Sequence, residues 1–295
     1  MPSPSLPTTL LALWLAMPLG LARLATPLQE PPEHPGSPPP PSQVDDRARR
    51  NDLNTAMMRL EREGLLQPIG SLPWTPLAQL PALPAASKRS LNGSERYRVV
   101  CDATVMVHTG YKCDRCANWH GGVATGFVIH SDGWIVTAAH VVTGEHREHV
   151  GAVMLHDETV YPIVAVAAID EARDVAILRV DASNLRALPL AEADPAPGEP
   201  VAVVSHPQSH FYMLTDGVVS RLLGEGEQAS RRLQITAGFA TGSSGAPVVD
   251  ACGNVVGMAL STRTLYADTE KKENPQMVIR LCVSVEDILA TCAGR

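Results

Sequence analysis

Ala240-Thr241-Gly242-Ser243-Ser244-Gly245-Ala246-Pro247 sets one serine between glycines in a run of small residues. Glycine lets the backbone adopt conformations closed to other residues, so its N–H groups can turn toward a ligand. Two N–H groups converging near a serine hydroxyl stabilise the charge that develops when that hydroxyl attacks a carbonyl. The run reads equally as a tight turn between strands, since Gly and Ser dominate turns. Two stretches upstream decide between these readings.

The first is Ala124-Thr-Gly-Phe-Val-Ile-His-Ser-Asp-Gly-Trp-Ile-Val-Thr-Ala-Ala-His140. Its Asp132-Gly133 pair between apolar runs is a hairpin signal, joining strands at Thr125–His130 and Trp134–Thr137. The second strand delivers His140 after two alanines, which leave room for an imidazole to face a substrate. The second stretch is Arg173-Asp174-Val-Ala-Ile-Leu-Arg-Val180, with an acid at the mouth of an apolar strand. A carboxylate there is costly unless paired, and it has the character of a group that orients an imidazole. Asp170, in a polar turn, and Asp181, after the strand, are the competing acids.

Further strands are expected at Val99–Val107, Gly151–Leu155, Val160–Val166, Val201–Val204, Phe211–Ser220, Leu233–Thr236, Ala246–Val249, Val255–Ser261 and Met277–Val283. Asp194-Pro-Ala-Pro-Gly198 marks a seam between halves. Thr264 to Gln276 reads as a polar loop. Ser284 to Cys292 reads as a closing helix with Ser284 at its cap and Asp287 at the third position. Many short strands with turn signals predict an all-β fold: two six-stranded antiparallel barrels with a short C-terminal helix.

The chain has 295 residues, enough for one large or two small domains. The net charge of −7 is spread without basic blocks, and aromatics are 4%, so neither a phosphate-binding patch nor a base-stacking surface is expected and nucleic acid is not a partner. Leu10 to Ala22 is an apolar run too short for a comfortable membrane span, with Gly20 and Ala22 where a signal peptidase reads small residues. Residues 1–22 are therefore expected to be a signal peptide, although no Lys or Arg precedes the run. The protein is expected to be exported, to the periplasm or outside the cell, with no stable membrane span. Pro27 to Pro41 is proline-dense and favours an extended tether. Val44 to Leu66 reads as a helix, with Leu53, Met57 and Leu60 at helical spacing. Residues 23–95 are taken as a proline-rich tether with a short helix, and a pro-segment there stays open. Residues 96–295 are taken as the main domain, with barrels at about 97–190 and 198–283 and a helix at 284–292.

Cys113-Asp-Arg-Cys116 has several readings. Zinc would need two more ligands, for which His108 and His120 are candidates on spacing. A redox dithiol would normally open a helix in a βαβ setting, and none is present. A local disulfide closing an exposed loop fits an exported protein, and with it no metal or cofactor is expected. Cys101, Cys252, Cys282 and Cys292 then allow three connectivities. Among them, Cys252 with Cys282 would join the hairpin after Ser244 to the last strand, and Cys101 with Cys292 would tie the first strand to the closing helix.

Thr137-Ala-Ala-His140, Asp174-Val-Ala-Ile-Leu and Gly242-Ser-Ser244-Gly-Ala-Pro247 together resemble the three signature motifs of trypsin-like serine proteases, in the chymotrypsin order His, Asp, Ser. Gly126-Phe-Val-Ile-His-Ser-Asp-Gly-Trp-Ile-Val-Thr, Pro197-Gly-Glu-Pro-Val-Ala-Val-Val and Thr215-Asp-Gly-Val-Val-Ser220 resemble the HtrA/Deg branch. The resemblance covers about Tyr97 to Ala290. Ser243 departs from the Asn or Asp usual before the serine, and Ala246 from the usual Gly. A C-terminal PDZ domain, usual in HtrA proteins, is not expected before Arg295.

The resemblance implies a chymotrypsin-like double barrel with His140, Asp174 and Ser244 as the catalytic set. The N–H groups of Gly242 and Ser244 would hold an oxyanion, and peptides or proteins would be the substrates. It implies an S1 pocket between Thr236–Thr241 and Ala259-Leu260-Ser261, with Gly238, Thr241, Ala259, Leu260 and Ser261 meeting the substrate. Gly238 stands where trypsins place an acid, and Ala259 where glutamyl endopeptidases place a histidine, so a small or medium apolar P1 side chain is expected. The alternative is a non-catalytic or latent protease-fold module for binding or chaperoning.

Overall fold

The computed structural model describes residues 43–116, 119–225 and 230–295. The expected signal peptide and the whole proline-dense run Pro27–Pro41 lie outside the described residues. Two closed antiparallel barrels of six strands each form the body. In the first, β1 (Thr104–Lys112), β2 (Trp119–His130), β3 (Trp134–Thr137), β4 (Val150–Met154), β5 (Val160–Asp170) and β6 (Val175–Val180) close in the order β1-β2-β3-β6-β5-β4. In the second, β7 (Pro200–Ser205), β8 (Met213–Glu225), β9 (Ser230–Ile235), β10 (Pro247–Val249), β11 (Val255–Asp268) and β12 (Glu273–Ser284) close as β10-β11-β12-β9-β8-β7. The first core centres on Val105, Val107, Phe127, Ile135, Ile177 and Leu178, the second on Val201, Val203, Leu233, Ile235, Val248 and Val256. Branched side chains suit these pleated, buried faces.

Among the described residues three α-helices accompany the barrels: α1 (Asp46–Arg62), α2 (Gly93–Ala103) and α3 (Val285–Cys292). Leu53, Met57 and Leu60 form the buried face of α1. Arg49 is buried beside them, donating both Nη groups to the His156 carbonyl at 3.1 Å and lying over the Tyr212 ring at 5.0 Å. Past α1 the chain runs along barrel 1, with Ile69 N–H bonded to His149 O and Thr75 N–H to Val166 O. It then reaches barrel 2, where Asn254 brackets Ser87 through both its side-chain oxygen and its amide.

Three expectations need correcting. Val99 to Ala103 is helical, and β1 starts only at Thr104. Asn92 and Glu95 form a reciprocal capping box that starts α2, and this local signal outweighs the β-prone composition that follows. Thr264 to Gln276 is no loop, because β11 and β12 pair across it (Thr264↔Val278, Leu265↔Met277, Asp268↔Glu273). Both faces of that ladder meet solvent, so its sequence carries no apolar alternation. Finally, all six cysteines are free thiols, so the Cys113–Cys116, Cys252–Cys282 and Cys101–Cys292 bridges are absent. The Cys113 and Cys116 sulfurs stand 3.6 Å apart beside His120. Cys282 is enclosed in the barrel 2 core while Cys252 lies on the Asp250–Asn254 turn, and Cys101 faces inward from α2 while Cys292 ends α3. Burial pushes the Cys101 and Cys292 thiols up to about 12, which keeps both protonated and inert. No helix among the described residues is long and apolar enough to cross a membrane.

Candidate active site

The short turn after β3 carries His140 and the turn before β6 carries Asp174, both from barrel 1. Asp174 Oδ1 accepts the His140 backbone N–H at 2.8 Å, and Oδ2 lies 2.7 Å from His140 Nδ1. A carboxylate only accepts, so Nδ1 carries the proton and Nε2 is left as the basic nitrogen facing the cleft. Burial opposes ionisation of Asp174, but the bonds from the His140 ring and N–H and the charge of Arg232 outweigh it and hold the carboxyl below its ordinary value. Asp174 sits at φ 59°, a left-handed conformation that Asp tolerates better than most residues. Its turn is anchored to barrel 2 and α3, since Arg232 donates to Ala172 O at 3.4 Å and Asp287 accepts from both Arg173 and Arg232. Asp170 pairs with Arg173 at 2.6 Å and Asp181 is exposed, so neither faces His140.

Barrel 2 brings Ser244 to the same cleft. Ser243 N–H bonds to Ala240 O at 2.9 Å, and Gly242 has φ 95°. That is the pattern of a type II turn with glycine at its third position. Among the described residues, neither Gly242 N–H nor Ser244 N–H has an acceptor, so both are free beside the Ser244 hydroxyl. The turn is clamped on every side. Thr125 donates Oγ1 to Gly242 O at 2.9 Å and its N–H to Ser244 O at 3.0 Å. Ser243, fully buried, donates to Ser205 Oγ at 3.0 Å. Gln208 N–H bonds to Thr241 O at 2.7 Å. Ser244 Oγ itself lies 3.3 Å from Leu260 O, and among the described residues that carbonyl is its one hydrogen-bond partner.

A cleft of about 350 Å³ lies between His140 and Ser244, lined by Phe239, Ala240, Thr241, Leu260, Ser261 and Thr262. Thr241, Leu260 and Ser261 were expected there from the sequence. Gly238 and Ala259 are not part of its lining. Gly238 accepts Thr215 Oγ1 at 2.6 Å behind it, with the Arg280 guanidinium nearby, and buried Ala259 spends its N–H on Ala246 O and its carbonyl on Gly245 N–H. Phe239 and Ala240 fall within the Thr236–Thr241 wall but were not singled out, and Thr262 was missed, its place directly after Ser261 being the available signal.

The fold, the strand-end histidine, the paired acid and the serine turn describe a trypsin-like arrangement, and comparison with known proteins agrees. Residues 124–258 match the trypsin-like peptidase domain. Similar proteins include the serine protease HTRA1B of Danio rerio (34% identical over 55% of this chain and 37% of that one) and the putative serine protease HhoB of Synechocystis sp. (32% over 48% and 35%). The mitochondrial serine protease HTRA2 of Drosophila virilis is 29% identical over 64% of this chain and 49% of that one. The chain thus spans between about a third and a half of the length of these curated relatives. A serine endoprotease from Yersinia pestis shares the fold, with a TM-score of 0.53 and 20% identity over 68% of this chain and 64% of that one. The chain carries a trypsin-like peptidase domain, and HtrA serine proteases are among its relatives.

Proposed function

We propose that this protein is a serine endopeptidase. His140 Nε2 takes the proton from Ser244 Oγ as that oxygen attacks a substrate peptide carbonyl. Asp174 holds the imidazole in its tautomer and stabilises its charged form. The N–H groups of Gly242 and Ser244 receive the oxyanion. His140 then gives the proton to the leaving amine, and water, activated by the same nitrogen, hydrolyses the acyl-enzyme. The observation that carries this reading is the doubly bonded His140–Asp174 pair facing a turn whose two N–H groups are free.

The substrates on this reading are proteins or peptides, and the cleft lined by Phe239, Leu260 and Thr262 suits a small or medium apolar P1 side chain. The Leu10–Ala22 run supports export. We take residues 96–295 as the protease domain, with residues 43–95 an arm laid on it. A latent form is the second reading, favoured by the bond from Ser244 Oγ to Leu260 O in place of one to His140, although catalytic hydrogen bonds often tighten only with substrate bound. The test is hydrolysis of a peptide library varied at P1, beside Ser244→Ala. Cleavage after Ala, Val or Leu that Ser244→Ala abolishes supports the reading. Cleavage after Asp or Glu would move specificity to Arg280 behind Gly238. No cleavage, regained on trimming before residue 96, would establish latency.

A further inference from the structure

The β1–β2 hairpin ends in Cys113 and Cys116, and His120 is the second residue of β2. The pairing Tyr111↔His120 sets His120 on the same face of the ladder as Tyr111, and strand alternation brings Cys113 to that face as well. Three ligand atoms meet there. Cys113 Sγ lies 3.6 Å from Cys116 Sγ and 3.3 Å from His120 Nε2, and Cys116 Sγ lies 3.0 Å from the same nitrogen.

These spacings discriminate between chemistries. A disulfide draws its sulfurs to about 2.05 Å. Two sulfurs bound at about 2.3 Å to a tetrahedral zinc stand about 3.8 Å apart, and a sulfur and an imidazole nitrogen about 3.5 Å. The observed S···S separation is the edge of a coordination tetrahedron, and the S···N distances fall within about half an ångström of theirs. His108, the other histidine near in sequence, is engaged elsewhere, since its Nδ1 lies 3.0 Å from Gly122 O. The Tyr111 ring lies against His120 with centroids 5.7 Å apart and stacks on His149 at 5.0 Å, so the plane of the His120 imidazole is supported from behind.

We propose that Cys113, Cys116 and His120 form a zinc site with three protein ligands, its fourth position open on the side of exposed Cys116. Binding replaces the two thiol protons, which leave to solvent, and involves no change of oxidation state. The zinc clips the tip of the hairpin. From His120 the same strand runs to Thr125, which bonds to Gly242 and Ser244, so the clip steadies the strand behind the serine turn. Lys112 ties the same tip to α1, pairing with Glu61 at 2.5 Å and lying over the Trp119 ring at 5.4 Å.

The test uses the full chain, reduced, incubated with zinc and desalted, with metal measured by atomic emission. The wild type should retain one zinc per chain and Cys113→Ser/Cys116→Ser none. His120→Ala, which a disulfide would not notice, should bind at least about tenfold more weakly, given that losing even an outer-shell partner costs roughly 10–100-fold. Cobalt in place of zinc should give a thiolate-to-metal charge-transfer band that the double variant lacks. Should the variants not fold, the wild type still answers, because zinc should shield Cys113 and Cys116 from alkylation and a chelator should expose them. Equal zinc in wild type and double variant, unchanged affinity in His120→Ala, or recovery of a Cys113–Cys116 disulfide in the presence of zinc would overturn the proposal.

Discussion

The backbone N–H of Gln208 donates to the carbonyl oxygen of Thr241 at 2.7 Å. The two groups of a peptide unit point in opposite directions, so fixing the Thr241 carbonyl also fixes the orientation of the Gly242 N–H. The loop that supplies Gln208 is itself held in an unusual shape, with Gln208, Ser209 and Tyr212 all at positive φ. Asp46, the first residue of α1, grips it by accepting the Phe211 N–H at 2.9 Å, and Arg49 lies over the Tyr212 ring. The Gly242–Ser244 turn is therefore braced from the N-terminal arm.

Asp46→Ala removes that grip without touching the cleft. A charge-assisted bond to backbone is worth about 1.5–3 kcal/mol, so kcat should fall roughly tenfold or more while KM changes little. Steady-state kinetics on one peptide decides this, and an unchanged kcat would detach α1 from the site.

Gly242→Ala should be more damaging. The residue needs φ 95°, and a Cβ there would sit 2.5 Å from His206 O. The turn would have to rotate and withdraw one oxyanion donor, a loss of roughly 10²–10³ in turnover. Thermal unfolding measured alongside separates this from simple destabilisation.

Asp287 is 6% exposed and faces Arg173 and Arg232, so it joins the turn that carries Asp174 to barrel 2. Removing one partner strands buried charge, and Asp287→Ala should cost about 3–5 kcal/mol. Urea unfolding of variant and wild type would show it as a lower midpoint, and a midpoint within experimental error of the wild type would refute the role.

Stability should also fall with acid well before carboxylates titrate. Burial, first, drives the His206 pKa down to about 3, and burial likewise lowers His108 and His156. His206 Nδ1 already accepts the Tyr212 N–H at 3.1 Å, so a proton there would set donor against donor. A histidine with a depressed folded pKa leaves stability intact above its unfolded value near 6.5. Below that the unfolded chain binds protons that the folded chain refuses, so stability falls by up to about 1.4 kcal/mol per pH unit for His206 alone. Asp174 is depressed too, and its contribution is lost only as pH drops below the ordinary carboxylate value near 3.9. Urea midpoints between pH 8 and 4 would test this, and a flat profile from 7 to 5 would contradict it.

The barrels were legible because their strands are short, β-branched and punctuated by turns such as Asp132-Gly133. His140, Asp174 and Ser244 stood out because each breaks a local pattern: a histidine after small residues, an acid opening an apolar strand, a serine among glycines. What stayed hidden depends on residues far apart in the chain. Arg49 reads as one more surface charge on an amphipathic helix until the His156 carbonyl and the Tyr212 ring enclose it. Gln208 acts through its N–H, which any residue but proline possesses, so its side chain announces nothing. Asn92-x-x-Glu95 was a readable helix start that the apolar run behind it overshadowed. Cys113 and Cys116 allowed several readings by spacing alone, and His108 and His120 stood equal beside them until the hairpin register brought His120 to the sulfurs and left His108 on Gly122 O.

The most direct test is labelling of the folded, full-length chain with a fluorophosphonate, which reacts only with a serine that has its base and oxyanion hole in place. Wild type should label at one site, and Ser244→Ala and His140→Ala should not. Labelling that survives Ser244→Ala, or folded wild type that never labels, would contradict the assignment of His140, Asp174 and Ser244 as a working catalytic set.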